Sequence, residues 1–188
     1  MEKKYILTDD VIDFNGHTLH RIKAVRDFDC VKAGDLGGFI ESEKNLDHDG
    51  DAWVTGVARI FGDAVVSDSA RVSGAAWVTD DARVSGAAFV TGAALVSGAA
   101  RVSGAAVVTG DAVVSGDADF AVISGFGRAF RTTTFFRCKD NLVRCKCGCF
   151  YGTVDEFRSK VRETHGSSKY AKEYLMIADL MELHFKED

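Results

Sequence analysis

Five histidines, five cysteines and a row of hydroxyl residues are the side chains of this sequence that could carry acid–base, metal or nucleophilic chemistry. A serine or threonine nucleophile needs a base beside it. The hydroxyls recur at positions such as Ser73, Ser85 and Ser103, yet no histidine lies between His48 and His165. His17, His20 and His48 all precede that stretch, where surface and turn positions account for them, so no catalytic residue is assigned. In RCKCGCF the cysteines Cys145, Cys147 and Cys149 alternate and would share one side of a strand. Zinc sites favour pairs two to four residues apart on a turn, with a second pair elsewhere, so these thiols read as packed or partly exposed and no metal is expected. The third cluster is basic and aromatic: Arg131, Phe135, Phe136, Arg137, Lys139, Arg144 and Lys146. Arginine forks suit phosphate or carboxylate and a phenylalanine can stack on a base, which points to a negatively charged partner. The same alternation also describes a hairpin packed on one face and solvated on the other.

The elements that must position these groups are set by a repeat. From Ala52 to Ala121 the chain reads A-x-V-[ST]-G-x without an insertion, with twelve alanines from Ala52 to Ala118 in step with twelve large apolar residues from Val54 to Phe120. A helix of 3.6 residues per turn smears a period of six around its whole surface. A short strand does not: in A-x-V the first and third side chains share one face. The [ST]-G-x that follows must turn the chain, and glycine holds ten of the twelve corner sites, with Asp68 and Asp80 at the others. Three short strands per coil give about four coils from twelve sixes.

This pattern resembles the left-handed parallel β-helix of hexapeptide-repeat proteins, with an aliphatic residue followed four positions later by a small one, as in Val54 and Ala58; handedness is implied by that resemblance. Eighteen residues per coil sort the outward positions into three columns: Trp53, Arg71, Phe89 and Val107; Arg59, Trp77, Leu95 and Val113; Val65, Arg83, Arg101 and Asp119. Two are apolar toward their C-terminal ends, so Trp77, Phe89, Leu95, Val107 and Val113 are expected in a homo-oligomer interface, dimer or trimer, or beneath the chain's own ends. Arg83 and Arg101 form a basic stripe and join the expected partner-binding residues. The familiar enzymes of this repeat are acyltransferases, which the resemblance describes as trimers using a histidine and a loop thrown out from the coils. This sequence offers neither, and a diverged acyltransferase is the weakest alternative.

Open coil ends need caps. Residues 1–49 are expected to supply the N-terminal one, with Thr18–Phe28 containing a strand that leads into the stack and Gly34, Gly37 and Gly38 making tight turns. Residues 50–121 form the solenoid. In 122–188 two strands joined near Lys139-Asp140-Asn141 precede a helix capped by Thr153 and Glu156 and ended by His165-Gly166. A second helix starts at Ser167 or Ser168 and carries Tyr170, Tyr174, Ile177 and Leu180 or Met181 at helical spacing.

Hydrophobic residues at 46% and charged residues at 27% place the chain among soluble folded proteins. No apolar run approaches the roughly 20 residues of a membrane span, and the start MEKKYILTDD lacks a secretory core, so a cytoplasmic protein with reduced thiols is expected. The net charge of −5 is uneven: residues 1–49 and 50–121 are each about −4, and 122–188 is about +3.

The segment RIKAVRDFDCVKAGDLGGFIESEKNLDHDGDAWV with its repeats is similar to the polymer-forming hexapeptide-repeat proteins carried by bacteriophages and prophages. The tail TTTFFRCKDNLVRCKCGCFYGTVDEFRSKVRETHG resembles a module at the ends of such proteins; Cys149-Phe150-x-Gly152-Thr153 fits its pattern and Cys145 departs from it. That resemblance implies a non-enzymatic accessory protein in the host cytoplasm, without a cofactor. It would inhibit or sequester a host defence component: a protein or nucleoprotein, as an anti-CRISPR does, or a signalling nucleotide. A self-assembling scaffold is the alternative from another class.

Overall fold

The computed structural model describes residues 3–186 and shows a mainly β chain: stacked parallel coils, then an antiparallel sheet backed by two helices. Strands β1 (Tyr5–Phe14), β2 (His17–Ala24) and β3 (Leu36–Ile40) come first. Eleven two-residue strands, β4 to β14, run from Trp53–Val54 to Val113–Val114 at intervals of six residues. Their partners lie eighteen residues on, Trp53 beside Arg71 and Arg71 beside Phe89, so the three columns are the three faces of a β-solenoid.

The interior follows from the alternation. Every sixth residue from Ala52 to Ala112, an alanine each time, and every sixth from Val54 to Val114, a valine or isoleucine, is buried. Burying one such aliphatic side chain contributes roughly 1.5–3 kcal/mol, against about 1 kcal/mol net for a backbone hydrogen bond, so this column drives the winding. The coils are joined by bonds such as Trp53 N–H to the carbonyl of Ala70 at 3.0 Å. From Gly50 to Gly110 all corner residues have φ between 57° and 74°, Asp68 and Asp80 included. Those two carboxylates accept the amides of Gly86 and Gly98, one coil further on, at 2.8 and 3.0 Å.

The twelfth six departs from expectation. Asp117–Asp119 is a 3-10 turn, Gly116 has a φ of −159°, and Ala118 is exposed. The final coil has no successor to take its N–H groups; Asp117 takes that of Arg101 at 3.0 Å, and Asp119 takes those of Ser115 and Gly116 at 2.9 and 3.1 Å. The winding therefore stops at Val114.

At the other end the stack begins earlier than the repeat. Phe39 and Ile40 in β3 pair with Arg59 and Ile60, and Leu46 bridges to Val66. Gly37 and Gly38, expected in turns, lie in this strand instead, because a Cβ on Gly38 would stand 2.7 Å from the Val54 side chain and 2.8 Å from the carbonyl of Ala58. Only Gly34 makes a turn, at φ 98°. The strand expected in the middle of this segment is β2; it pairs with β1 on one side and with β3 on the other, and so leads into the stack through β3. The hairpin and the segment after it cover the outer surface of the first coils: Phe14 meets Trp77 and Phe61 edge-on, and Tyr5 and, beyond β2, Phe28 cover Trp53.

At the C-terminus the expected hairpin is a four-stranded antiparallel sheet, in order β15 (Phe120–Phe126), β16 (Arg131–Arg137), β17 (Val143–Cys147) and β18 (Phe150–Thr153). Thr153 caps α1 (Val154–His165), accepting the Glu156 amide, and Gly166 ends it; Ser168 caps α2 (Lys169–His184). In α2 the buried face holds Ala171, Tyr174, Ile177, Ala178 and Met181, while Leu180 faces solvent. Among the described residues, no helix is long and apolar enough to cross a membrane.

Two predictions follow from this architecture. A Cβ on Gly74 would lie 2.9 Å from the carbonyl of Gly92, whereas nothing lies within 4 Å of one on Gly104, although both have left-handed φ. Gly74→Ala should therefore destabilise by about 2 kcal/mol or more and Gly104→Asn by about 1 kcal/mol or less, read from urea midpoints. Lys4 is buried with its ammonium 3.3 and 3.4 Å from the carbonyls of Asp49 and Gly50, and burial lowers its pKa from 10.5 to about 8. Between those values the unfolded chain binds more protons than the folded one, so the lysine's contribution to stability rises from pH 8 to 10.5. Wild type should gain stability relative to Lys4→Met across that window; parallel urea curves would refute it.

Candidate functional site

The alternation along β16 separates residues that the sequence had grouped together. Phe136 and Cys138 enter the solenoid core and the Thr134 hydroxyl accepts the Val107 amide at 2.9 Å, whereas Phe135 enters the core of the helix module. Both phenylalanines are fully buried, so neither can stack on a ligand, and the expected basic, aromatic face does not exist as one surface. Arg137 is drawn to Asp119 at 3.3 Å and to the carbonyl of Phe185 at 2.8 Å. Arg144 is forked onto Asp140 and lies 3.8 Å from Asp111, which holds its charge firmly and lowers Asp140 to about 2. Lys139 is exposed but anchored by its backbone to Asp111. Lys146 is half-buried in register with Tyr151, whose phenol reaches Asp111 at 3.3 Å and stacks near Phe136.

The cysteines are split as well. Cys145 is buried in the module core and Cys138 in the solenoid core, and burial pushes the latter thiol up to about 11. Cys149, expected on the same strand face as Cys145 and Cys147, is exposed on the tight turn between β17 and β18, where Gly148 has a φ of 58°. Among the described residues, no three His, Cys, Asp or Glu side chains converge as a metal would require. The N-terminal histidines are engaged: the His17 ring lies 2.9 Å from Glu41, His20 contacts the carbonyl of Thr8, and His48 accepts the Lys4 amide while stacked on Tyr5 at 4.3 Å.

On the solenoid surface Arg83 and Arg101 are exposed, side by side in register, with no ion pair among the described residues. The apolar candidates form two separate ladders, Phe89 beside Val107 and Trp77 beside Leu95 and Val113. Phe14 lies against Trp77, Phe89 is exposed, and the other three are half-buried.

Of the basic residues singled out in the sequence, Arg137 and Lys139 border a pocket of about 310 Å³ that Asp119 also lines, and Arg131 reaches an open pocket of about 540 Å³ in the C-terminal module. Arg128 from the β15–β16 loop, Arg131 at the start of β16 and Lys160 from α1 supply its charge; Phe150, Phe157, Val161 and Tyr174 supply its apolar wall. No carboxylate lines it. Phe157 and Tyr174 meet edge-to-face at 5.7 Å, and burial pushes the Tyr174 phenol up to about 12, so it stays a neutral donor to the carbonyl of Phe126 at 3.3 Å. His165 closes one side, its ring 5.8 Å from that of Tyr174. Arg128 and Lys160 were not among the binding residues expected from the sequence. Lys160 had a signal, since Phe157, Lys160, Val161 and Thr164 fall on one face of α1.

No protein-family model matches this sequence, and no curated protein matches it.

Because Phe136 closes the solenoid and Phe130 is 72% exposed, the two should differ sharply on truncation. Phe136→Ala is expected to cost about 3–5 kcal/mol and Phe130→Ala under about 0.5 kcal/mol in chemical denaturation.

Proposed function

We propose that this is a non-enzymatic binding protein, a rigid β-solenoid whose C-terminal module holds an acidic or phosphorylated partner without transforming it. The observation that carries this reading is the pocket with Arg128, Arg131 and Lys160 at its edge and no carboxylate in its lining. Arg128 and Arg131 have no ion pair among the described residues, whereas Lys160 is paired with Glu163 at 2.9 Å, and two open guanidiniums beside an apolar wall favour an anion because desolvation strengthens each charge–charge contact. The coils support it from the other side: their hydroxyls lie at corners, as in the Ser73 to Thr91 bond of 2.9 Å, with no histidine among them. The likeness of the flanking segments to phage-encoded proteins makes a host defence component the first partner class to test, in the host cytoplasm.

The test compares wild type with the triple variant Arg128→Ala, Arg131→Ala, Lys160→Ala as bait in bacterial lysate at two salt concentrations. Retention of the identified partner should fall at least about tenfold in the variant and weaken as salt rises. Equal retention by both baits would falsify the reading. Incubation with acyl-coenzyme A donors should give no turnover above background; turnover abolished by His48→Ala would make the protein an acyltransferase instead.

Self-assembly is a second reading, favoured by Phe89, which is 37% exposed in its ladder with Val107. Under it, Phe89→Asp lowers the mass seen by analytical ultracentrifugation, and a wild type already monomeric at high concentration excludes it.

A further inference from the structure

We propose that the pocket between the β15–β16 loop, the β17–β18 turn and α1 binds a phosphate-bearing ring compound of mononucleotide size. This rests on the reading of the module as an anion-binding site and adds the class of ligand. A volume of about 540 Å³ lies within the range of small-ligand sites. The lining divides into two chemistries that a single ligand must satisfy together. A bare inorganic anion would engage the cations and leave the half-buried Phe150 wet; an apolar ring would cover that wall and leave Arg128 and Arg131 without a counter-charge, Lys160 being paired with Glu163 at 2.9 Å. A flat ring joined to a phosphate meets both demands. Guanidinium forks match phosphate oxygens in pairs, and aromatic side chains accept any base by stacking.

Arg131 and the backbone that carries Arg128 are positioned before a ligand arrives. Gly148, with φ of 58°, lies directly beneath the Arg131 guanidinium; a Cβ there would collide with it, so the missing side chain lets Arg131 lie across the β17–β18 turn. At the other end of the loop the Gly127 amide donates to Glu173 at 3.0 Å, fixing the residue that precedes Arg128 to α2. Glu173 is also 3.5 Å from Lys169, and it is absent from the pocket lining. Holding charged side chains in their bound geometry removes part of the ordering cost of binding.

The experiment is calorimetric titration of the full chain with AMP, adenosine, ribose 5-phosphate, inorganic phosphate and an acidic peptide containing one phenylalanine. AMP should bind saturably, and each of adenosine, ribose 5-phosphate and inorganic phosphate should bind at least about tenfold more weakly. Lys160→Ala, on the exposed side of a helix, should weaken AMP about tenfold, and Gly148→Ala should do likewise although it removes no charge. Circular dichroism and melting curves establish that each variant folds, and Lys160→Ala alone decides the matter if Gly148→Ala does not. Adenosine binding as tightly as AMP, preference for the peptide, or AMP affinity unchanged by Lys160→Ala overturns the proposal. If AMP fails while the triple variant still loses the lysate partner, the ligand class is wrong and the anion-binding reading stands. If both fail, both fall.

Discussion

The molecule depends on one constraint: each coil of a parallel solenoid must hand its backbone donors to the carbonyls of the next, so every coil must have the same length and the same corners. Eighteen residues per coil satisfies the first condition from Trp53 onward, and left-handed corner residues satisfy the second. The interior is then forced to be uniform, with a small alanine and a larger aliphatic residue alternating along every face. A residue too large inside, or a Cβ at a corner that touches the coil beyond, would disturb not one contact but the register of the ladder on both sides. This is why the chain tolerates only Asp in place of Gly at two corners, where the carboxylate also satisfies an amide of the following coil.

The same constraint creates the problem at the ends. The last coil has donors that no further coil accepts, and the structure answers with Asp117, Asp119 and the Thr134 hydroxyl, which occupy the places of missing carbonyls. Above the first full coil, Asn45 plays the complementary part, its side-chain amide donating to the carbonyls of Gly62 and Ala64 at 3.0 and 2.9 Å. Phe136 and Cys138 plug the apolar opening below, while Phe28 and Tyr5 shield the outer face of Trp53 near the top. Trp77, which read as an interface residue in the sequence, is in part the seat of the N-terminal hairpin through Phe14.

Legibility followed periodicity. The solenoid, its columns and its corners were readable because strict repetition leaves one geometry available, and the caps of α1 and α2 were readable because Thr153, Glu156 and Ser168 act locally. The ends were not. Gly37 and Gly38 look like turn residues, yet they sit in a strand because a neighbouring coil presses on them, a tertiary fact with no local sign. Phe120 keeps the repeat's phase but begins β15, since the phase of a residue does not reveal whether another coil follows. For the candidate site, grouping by sequence proximity placed Phe135 and Phe136 beside one ligand, although adjacent residues on a strand face opposite ways. The pocket instead joins residues 128–131, 147–150, 157–165 and 174, and such a gathering depends on how the sheet packs on the helices.

The equivalence of the coils has a further consequence. Both caps contact only the coils nearest to them, so inserting or deleting a block of eighteen residues in the middle would leave each end's contacts unchanged. Every inserted block would move the C-terminal module away from the N-terminal hairpin by one strand spacing, roughly 4.8 Å. The middle of the chain is in this sense a ruler, and natural or engineered relatives could set the distance between two otherwise fixed surfaces by counting coils.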